Sequence, residues 1–230
     1  AQFTRTFNTP ASRFCPLPPA ANQNCRRTAE YENIRHNKRR IFSAGPDDVV
    51  LIQVAINMLR KGVDRTILAV AALPEAIRSR IRLCLIGRET EKLRQLAEST
   101  GIARQTFFEG PQFDLRDYLY AADMMIHPAR VEVTGPMLLE ALDAGVPVLC
   151  TDNCGYADYV VNSHAGGTVT GGHDFDQMEL NAALLSFLCD TAQLRLLSRD
   201  ALDFMRHYNT FSYADTVVNT LEQKGSHATR

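Results

Sequence analysis

The run Val49-Val50-Leu51-Ile52-Gln53-Val54-Ala55 is apolar throughout except for Gln53. A strand with water on one side alternates apolar and polar residues, whereas an unbroken apolar run belongs in a sheet covered on both faces. The same pattern recurs along the chain. Ile81–Ile86, Thr106–Glu109, Met124–His127, Val146–Cys150 and Thr168–Thr170 read as further short strands. Between them Val63–Leu73, Glu89–Thr100, Leu115–Ala122, Pro136–Ala144 and Tyr156–Asn162 read as helices. Strand–helix alternation with short links predicts right-handed βαβ units, hence an α/β fold with a doubly wound parallel sheet of about six strands. Beyond residue 174 the pattern is purely helical (174–188, 191–207, 211–222), which predicts C-terminal helices packed around the sheet. Gly166-Gly167 and Gly171-Gly172 bracket the last strand and read as turns.

The 230 residues are 45% hydrophobic and 22% charged, an ordinary globular mixture, and no apolar run reaches the ~18–20 residues of a membrane span. Residues 1–24 are irregular and rich in proline. Tyr31 to Ser43 suits a basic helix ended near Gly45-Pro46. The organisation expected is therefore a linker and basic helix over 1–45, a sheet domain over 46–224 and a frayed tail over 225–230. The start at Ala1, in mid-pattern and with no secretory leader, suggests a piece of a longer chain.

Net charge is −1, but residues 1–45 carry eight Lys/Arg against two Asp/Glu. Arg35, Lys38, Arg39 and Arg40 could meet phosphates, yet no aromatic residues interleave with them for base stacking. They are read as a solvated helix face, with no nucleic-acid partner. The six cysteines lack metal-ligand spacing, so no metal is expected. Cys84 and Cys150 fall inside apolar strands, and a reducing, cytoplasmic setting without disulfides follows.

Ligands of such sheets bind beyond the carboxyl ends of the strands. Neither G-x-G-x-x-G nor G-x-x-x-x-G-K-[ST] occurs, which argues against a nicotinamide dehydrogenase and a P-loop NTPase. Three loops carry chemistry instead. After the first strand, Arg60 and Lys61 place two cations beside Gly62, suited to neutralising a diphosphate. After the fourth, Glu132, Thr134, Gly135, Pro136, Met137 and Glu140 surround a helix start, where unpaired N–H groups favour an anion and carboxylates can accept from sugar hydroxyls. Asp152-Asn153-Cys154-Gly155-Tyr156 is placed to line the same cleft. His127, ending the fourth strand, is open to either a structural or a cleft-facing reading.

Glu132 and Glu140 are separated by seven intervening residues and followed by Ala141-Leu142-Asp143-Ala144-Gly145-Val146-Pro147-Val148. This resembles the E-x7-E signature of family-4 retaining glycosyltransferases with the GT-B fold. Arg60-Lys61-Gly62-Val63-Asp64-Arg65, Ala121-Ala122-Asp123, His127-Pro128-Ala129, Leu138-Leu139-Glu140-Ala141 and Cys154-Gly155-Tyr156-Ala157 look like the glucosyltransferases of lipopolysaccharide core assembly within that family. The resemblance runs from about Phe14 to Tyr213, and Leu17-Pro18-Pro19 matches the hinge before the family's C-terminal, donor-binding, Rossmann-like domain.

The resemblance implies a UDP-sugar donor, UDP-glucose above all, and a heptose of the lipopolysaccharide core as acceptor, reached through an N-terminal domain that this sequence lacks. It implies that Arg60 and Lys61 neutralise the leaving UDP, that Glu132 holds the hexose, and that Glu140 binds the ribose hydroxyls. Thr134–Met137 would touch phosphate and sugar, with Gln112 and Phe113 near the uracil. It also implies no cofactor or metal, and a location in the cytoplasm, peripheral to the inner membrane. The sequence departs from the family pattern at four places. Ala20-Ala21 stand at the hinge and Ala55 after the first strand, where glycines are usual. Pro136 removes a donor from the phosphate loop, and Pro111-Gln112 replace Gly-Arg. These departures leave a non-catalytic nucleotide-sugar-binding domain as the alternative.

Overall fold

A computed structural model of the chain describes residues 22–88 and 90–208 and, outside them, 7–8, 10, 13–14 and 217–222. The chain divides into two compact units, Asn22–His207 and a second formed by residues 1–21 with 208–230. The expected hinge at Leu17–Ala21, the tail at 225–230 and the segment 209–216 lie outside the described residues; within the second unit, 217–222 are helical.

The first unit is a six-stranded, all-parallel sheet flanked by helices. Its strands are β1 (Val49–Val54), β2 (Ile81–Ile86), β3 (Thr106–Phe108), β4 (Met124–His127), β5 (Val148–Thr151) and β6 (Gly166–Val169), in the order β3-β2-β1-β4-β5-β6. The helices are α1 (Tyr31–Ile41), α2 (Val63–Ala71), α3 (Glu75–Arg78), α4 (Glu91–Ser99), α5 (Arg116–Ala121), α6 (Pro136–Asp143), α7 (Ala157–Asn162), α8 (Gln177–Leu188) and α9 (Thr191–His207). Leu51 and Ile52 of β1, Leu83 and Leu85 of β2 and Met124 to Ile126 of β4 are buried at the centre of the sheet, as unbroken apolar strands require. Strand order reverses between β1 and β4, so the crevice beyond their carboxyl ends is where a ligand fits best.

Three local expectations need correction. Gly166 and Gly167 are strand, not turn: a Cβ on Gly166 would lie 1.9 Å from the Val148 carbonyl oxygen, so glycine serves the close approach of β6 to β5. The strand expected from Val146 begins at Val148, because Pro147 has no N–H for the ladder and only accepts, from Met125 N–H at 2.8 Å. The basic helix is not a solvated face. Arg35 donates to the carbonyls of Tyr120, Ala121 and Ala122, closing the C-terminus of α5. Arg35 and Arg39 both pair with Asp123, and Lys38 Nζ sits 3.4 Å from the centre of the Tyr118 ring. Only Arg40 of the four is exposed. Residues 22–45 thus pack as part of the sheet unit. Among the described residues no helix is long and apolar enough to cross a membrane.

Candidate functional site

The loops after β1 and β4 meet at the switch point. Gly62, at φ 72°, turns the first loop so tightly that a Cβ there would lie 2.0 Å from the Pro128 carbonyl oxygen. Arg130 N–H donates to the Arg60 carbonyl at 3.0 Å, and its guanidinium grips both carboxylate oxygens of Asp64 at 2.7 Å each. Arg65, nearly buried, donates to the Pro128 carbonyl and lies over the Phe175 ring. Gln53, fully buried in β1, donates from Nε2 to the Lys61 carbonyl at 2.7 Å and accepts from Thr66 Oγ1. Lys61 therefore springs from a backbone held at several points.

That rigidity delivers Lys61 Nζ to Glu132 Oε2, in an ion pair between two largely buried side chains. His127 Nε2 reaches the same oxygen at 3.1 Å. The hydrogen bond from His127, reinforced by Lys61, draws the Glu132 carboxyl down to about 2 against the opposing effect of burial, so it is an anion that can only accept. Glu132 also lies against the start of α6: a Cβ on Gly135 would meet its Cγ at 3.2 Å. Gly135 precedes the helix at φ 90°, and Pro136 takes the first helical position. Leu138 N–H turns back to the Gly135 carbonyl. Pro136 lacks a donor and no side chain caps this end, so the remaining N–H groups of the first turn are open, as at any uncapped helix start. Thr134 and Pro136 are exposed and Met137 is half-buried.

The third loop joins as expected. Residues 132 and 154 pair as an isolated parallel bridge, Tyr156 N–H donates to the Thr134 carbonyl at 2.8 Å, and Asn153 Nδ2 donates to the Arg130 carbonyl. Glu140, one turn into α6, makes a different set of contacts. Its carboxylate accepts from the Asn22 backbone N–H and lies 4.0 Å from Cys25 Sγ, and burial raises its pKa above the usual carboxylate value. Asp143, next along that face, pairs with Arg26 Nε at 3.2 Å. The segment 22–27 is thereby strapped along α6.

A cavity of about 320 Å³ opens beyond the ends of β1 and β2, lined by Ala55, Ile56, Gly87, Arg88, Pro111 and Gln112 among others. Gln112 is thus on its wall, tied by Nε2 to the Glu109 carbonyl, while Phe113 is fully exposed and lines no part of it. Arg60 is exposed, next to the Lys61–Glu132 pair in sequence but outside its hydrogen bonds. The structure brings together Lys61, Glu132, Thr134 and Gly135. Gln53 and His127 emerge as members that periodicity does not reveal; the sequence signal for both is a polar side chain inside an otherwise apolar strand. A larger cavity, about 620 Å³, lies at the opposite end of the sheet among Arg27, Arg35, Arg39, Arg195 and Arg199.

Comparison with known proteins follows the same lines. The family of group 1 glycosyl transferases matches residues 34–201. The lipopolysaccharide glucosyltransferase WaaG of Escherichia coli (strain K12) is 34% identical over 209 residues, covering 90% of this chain and 54% of that protein. A crystal structure of WaaG, a glycosyltransferase involved in lipopolysaccharide biosynthesis, superposes with a TM-score of 0.87 at 30% identity, over 95% of this chain and 59% of the other. Anabaena Alr3699/HepE, solved in complex with UDP and glucose, shares the fold at a TM-score of 0.74 and 17% identity, over 89% of this chain and 56% of its own. The chain spans about half the length of the curated relatives it matches. With a six-stranded parallel sheet of GT-B type and a family match over most of its length, the chain belongs to the group 1 glycosyl transferases.

Proposed function

We propose that residues 22–207 form the donor-binding half of a retaining hexosyltransferase that takes glucose from UDP-glucose and delivers it to a heptose of the lipopolysaccharide core. The observation that carries this reading is the convergence of Lys61 and Glu132 at the switch point, beside the open amides of α6, with Glu140 on the same helix. In this reading the diphosphate lies between Lys61, Arg60 and the α6 N-terminus, where positive charge stabilises the leaving group without a metal. Glu132 accepts from hexose hydroxyls, Glu140 from the ribose, and the 320 Å³ cavity takes the base against Gln112. The two carboxylates are not assigned to double displacement; retention follows from attack on the same face that the leaving phosphate vacates. Acceptor binding falls to a separate N-terminal half, working at the cytoplasmic face of the inner membrane.

Titration calorimetry with UDP, UDP-glucose, ADP-glucose and NAD tests the donor. UDP and UDP-glucose are expected to bind, and Lys61→Ala to weaken UDP by roughly 10–100-fold, the worth of one charge-assisted contact. Glu140→Ala is expected to weaken it as well. Equal binding of NAD, or variants that bind like the parent, would overturn the donor reading. Glucose transfer on adding a separately produced N-terminal half would distinguish an enzyme from a non-catalytic binding domain.

A further inference from the structure

His127 ends β4 at the switch point with a side chain that is 2% exposed. Its two ring nitrogens are treated unequally. Nε2 is bonded to Glu132 Oε2, while Nδ1 is buried and has no hydrogen-bond partner among the described residues. An unpaired buried nitrogen destabilises a fold, and an apolar side chain of similar volume would avoid that cost. A histidine kept here for packing alone would be a poor choice; the contact that distinguishes it from leucine is the one to Glu132.

The geometry at the carboxylate says what that contact does. Lys61 Nζ and His127 Nε2 converge on the same oxygen, Oε2, and no hydrogen bond of the described residues reaches Oε1. A carboxylate gripped twice by one oxygen keeps the other free to accept, and the Glu132 side chain runs past the start of α6, where a Cβ on Gly135 would meet its Cγ at 3.2 Å. Lys61 cannot be the sole anchor. An ammonium next to an arriving diphosphate is drawn to it, because the ligand carries more negative charge than one carboxylate. Once Lys61 turns, the bond from His127 is what keeps Glu132 in place.

Resting on the donor reading above, we propose that His127 is a positioning residue for hexose recognition: it holds Glu132 by Oε2 so that Oε1 accepts from a hydroxyl of the donor sugar while Lys61 serves the diphosphate. His127 thereby separates recognition of the sugar from recognition of the nucleotide. Its removal costs affinity for the nucleotide sugar and leaves the nucleotide alone unaffected.

The test compares the parent chain with His127→Leu and His127→Gln, glutamine being able to donate from Nε2 as histidine does. Calorimetry with UDP and with UDP-glucose reads the ratio of the two affinities. UDP affinity is expected to stay within about twofold in both variants. The preference for UDP-glucose over UDP is expected to fall about tenfold in His127→Leu and to recover in His127→Gln. Carbon-13 NMR of the Glu132 carboxyl in the ligand-free chain supplies a second readout: its titration midpoint rises in His127→Leu and returns in His127→Gln. An unchanged preference in His127→Leu, or an unmoved midpoint, overturns the proposal; so does a glutamine variant that behaves like leucine. Failure of the parent chain to bind UDP overturns the donor reading and the sugar role together, while the NMR arm still decides whether His127 holds Glu132.

Discussion

Glu132 is the side chain on which most of the site turns, and its ionisation links the site to stability. Its folded pKa of about 2 lies below the ordinary 4.5, so the native state favours the charged form. The resulting stabilisation is complete above about pH 4.5 and is lost as the pH falls through 2. Urea denaturation of Glu132→Gln is therefore expected to show a deficit on the order of 2–3 kcal/mol at pH 6, shrinking below pH 4.5. Much of this residue's setting is readable in advance, because Glu132 follows β4 and precedes a Pro-initiated helix. Its partners are not. Lys61 lies 71 positions away, and His127 could have faced either side of the sheet. Gln112 and Phe113, adjacent in sequence, part company for the same reason: one lines a cavity and the other is fully exposed.

The sheet elements follow closely from the pattern of apolar runs, since each strand is short and bounded by turn or helix signals, and the central ones, β1, β2, β4 and β5, are buried almost throughout. β2 and β4 occur with the expected ends; β5 and β6 shift because a proline and a glycine act through pairing with a neighbour, which periodicity does not encode. The basic helix α1 was misleading for a related reason. Arginine at i and i+4 looks solvated in sequence, but Asp123 and the C-terminal carbonyls of α5 wait for both side chains. Asp123 also accepts from Val50 N–H, so one carboxylate joins α1, β1 and the turn before β4. Asp123→Asn leaves two partly buried guanidiniums without a counter-charge. It is expected to lower stability by about 3 kcal/mol in thermal or urea unfolding. UDP affinity should change little, because Asp123 precedes β4 while the site follows it.

Across the Asn22–His207 unit, the two ends of the sheet hold different kinds of charge pairing. At the amino ends, arginines close helix C-termini and are consumed in structure; at the carboxyl ends, Lys61 and Glu132 meet beside open amides. Glu140 stands between structure and site, because the strap 22–27 already donates to it. Burial disfavours its charge, so Glu140→Gln is expected to match or slightly exceed the parent in melting temperature at pH 7. That gain should vanish as the pH falls below the ordinary carboxylate range, where the parent is itself neutral. The same variant is expected to bind UDP more weakly, a loss of function without loss of stability that calorimetry and a melting curve together would reveal. The order of strands and helices, the class of sheet and the rim that carries the candidate site were already decided by local apolar rhythm, because burial on two faces leaves its mark in every consecutive residue. Which cation meets which carboxylate, which histidine nitrogen is used and which arginines are spent on helix ends depend on chain segments tens of residues apart. Those contacts arise only when the crossover at β1 and β4 brings their loops to one place.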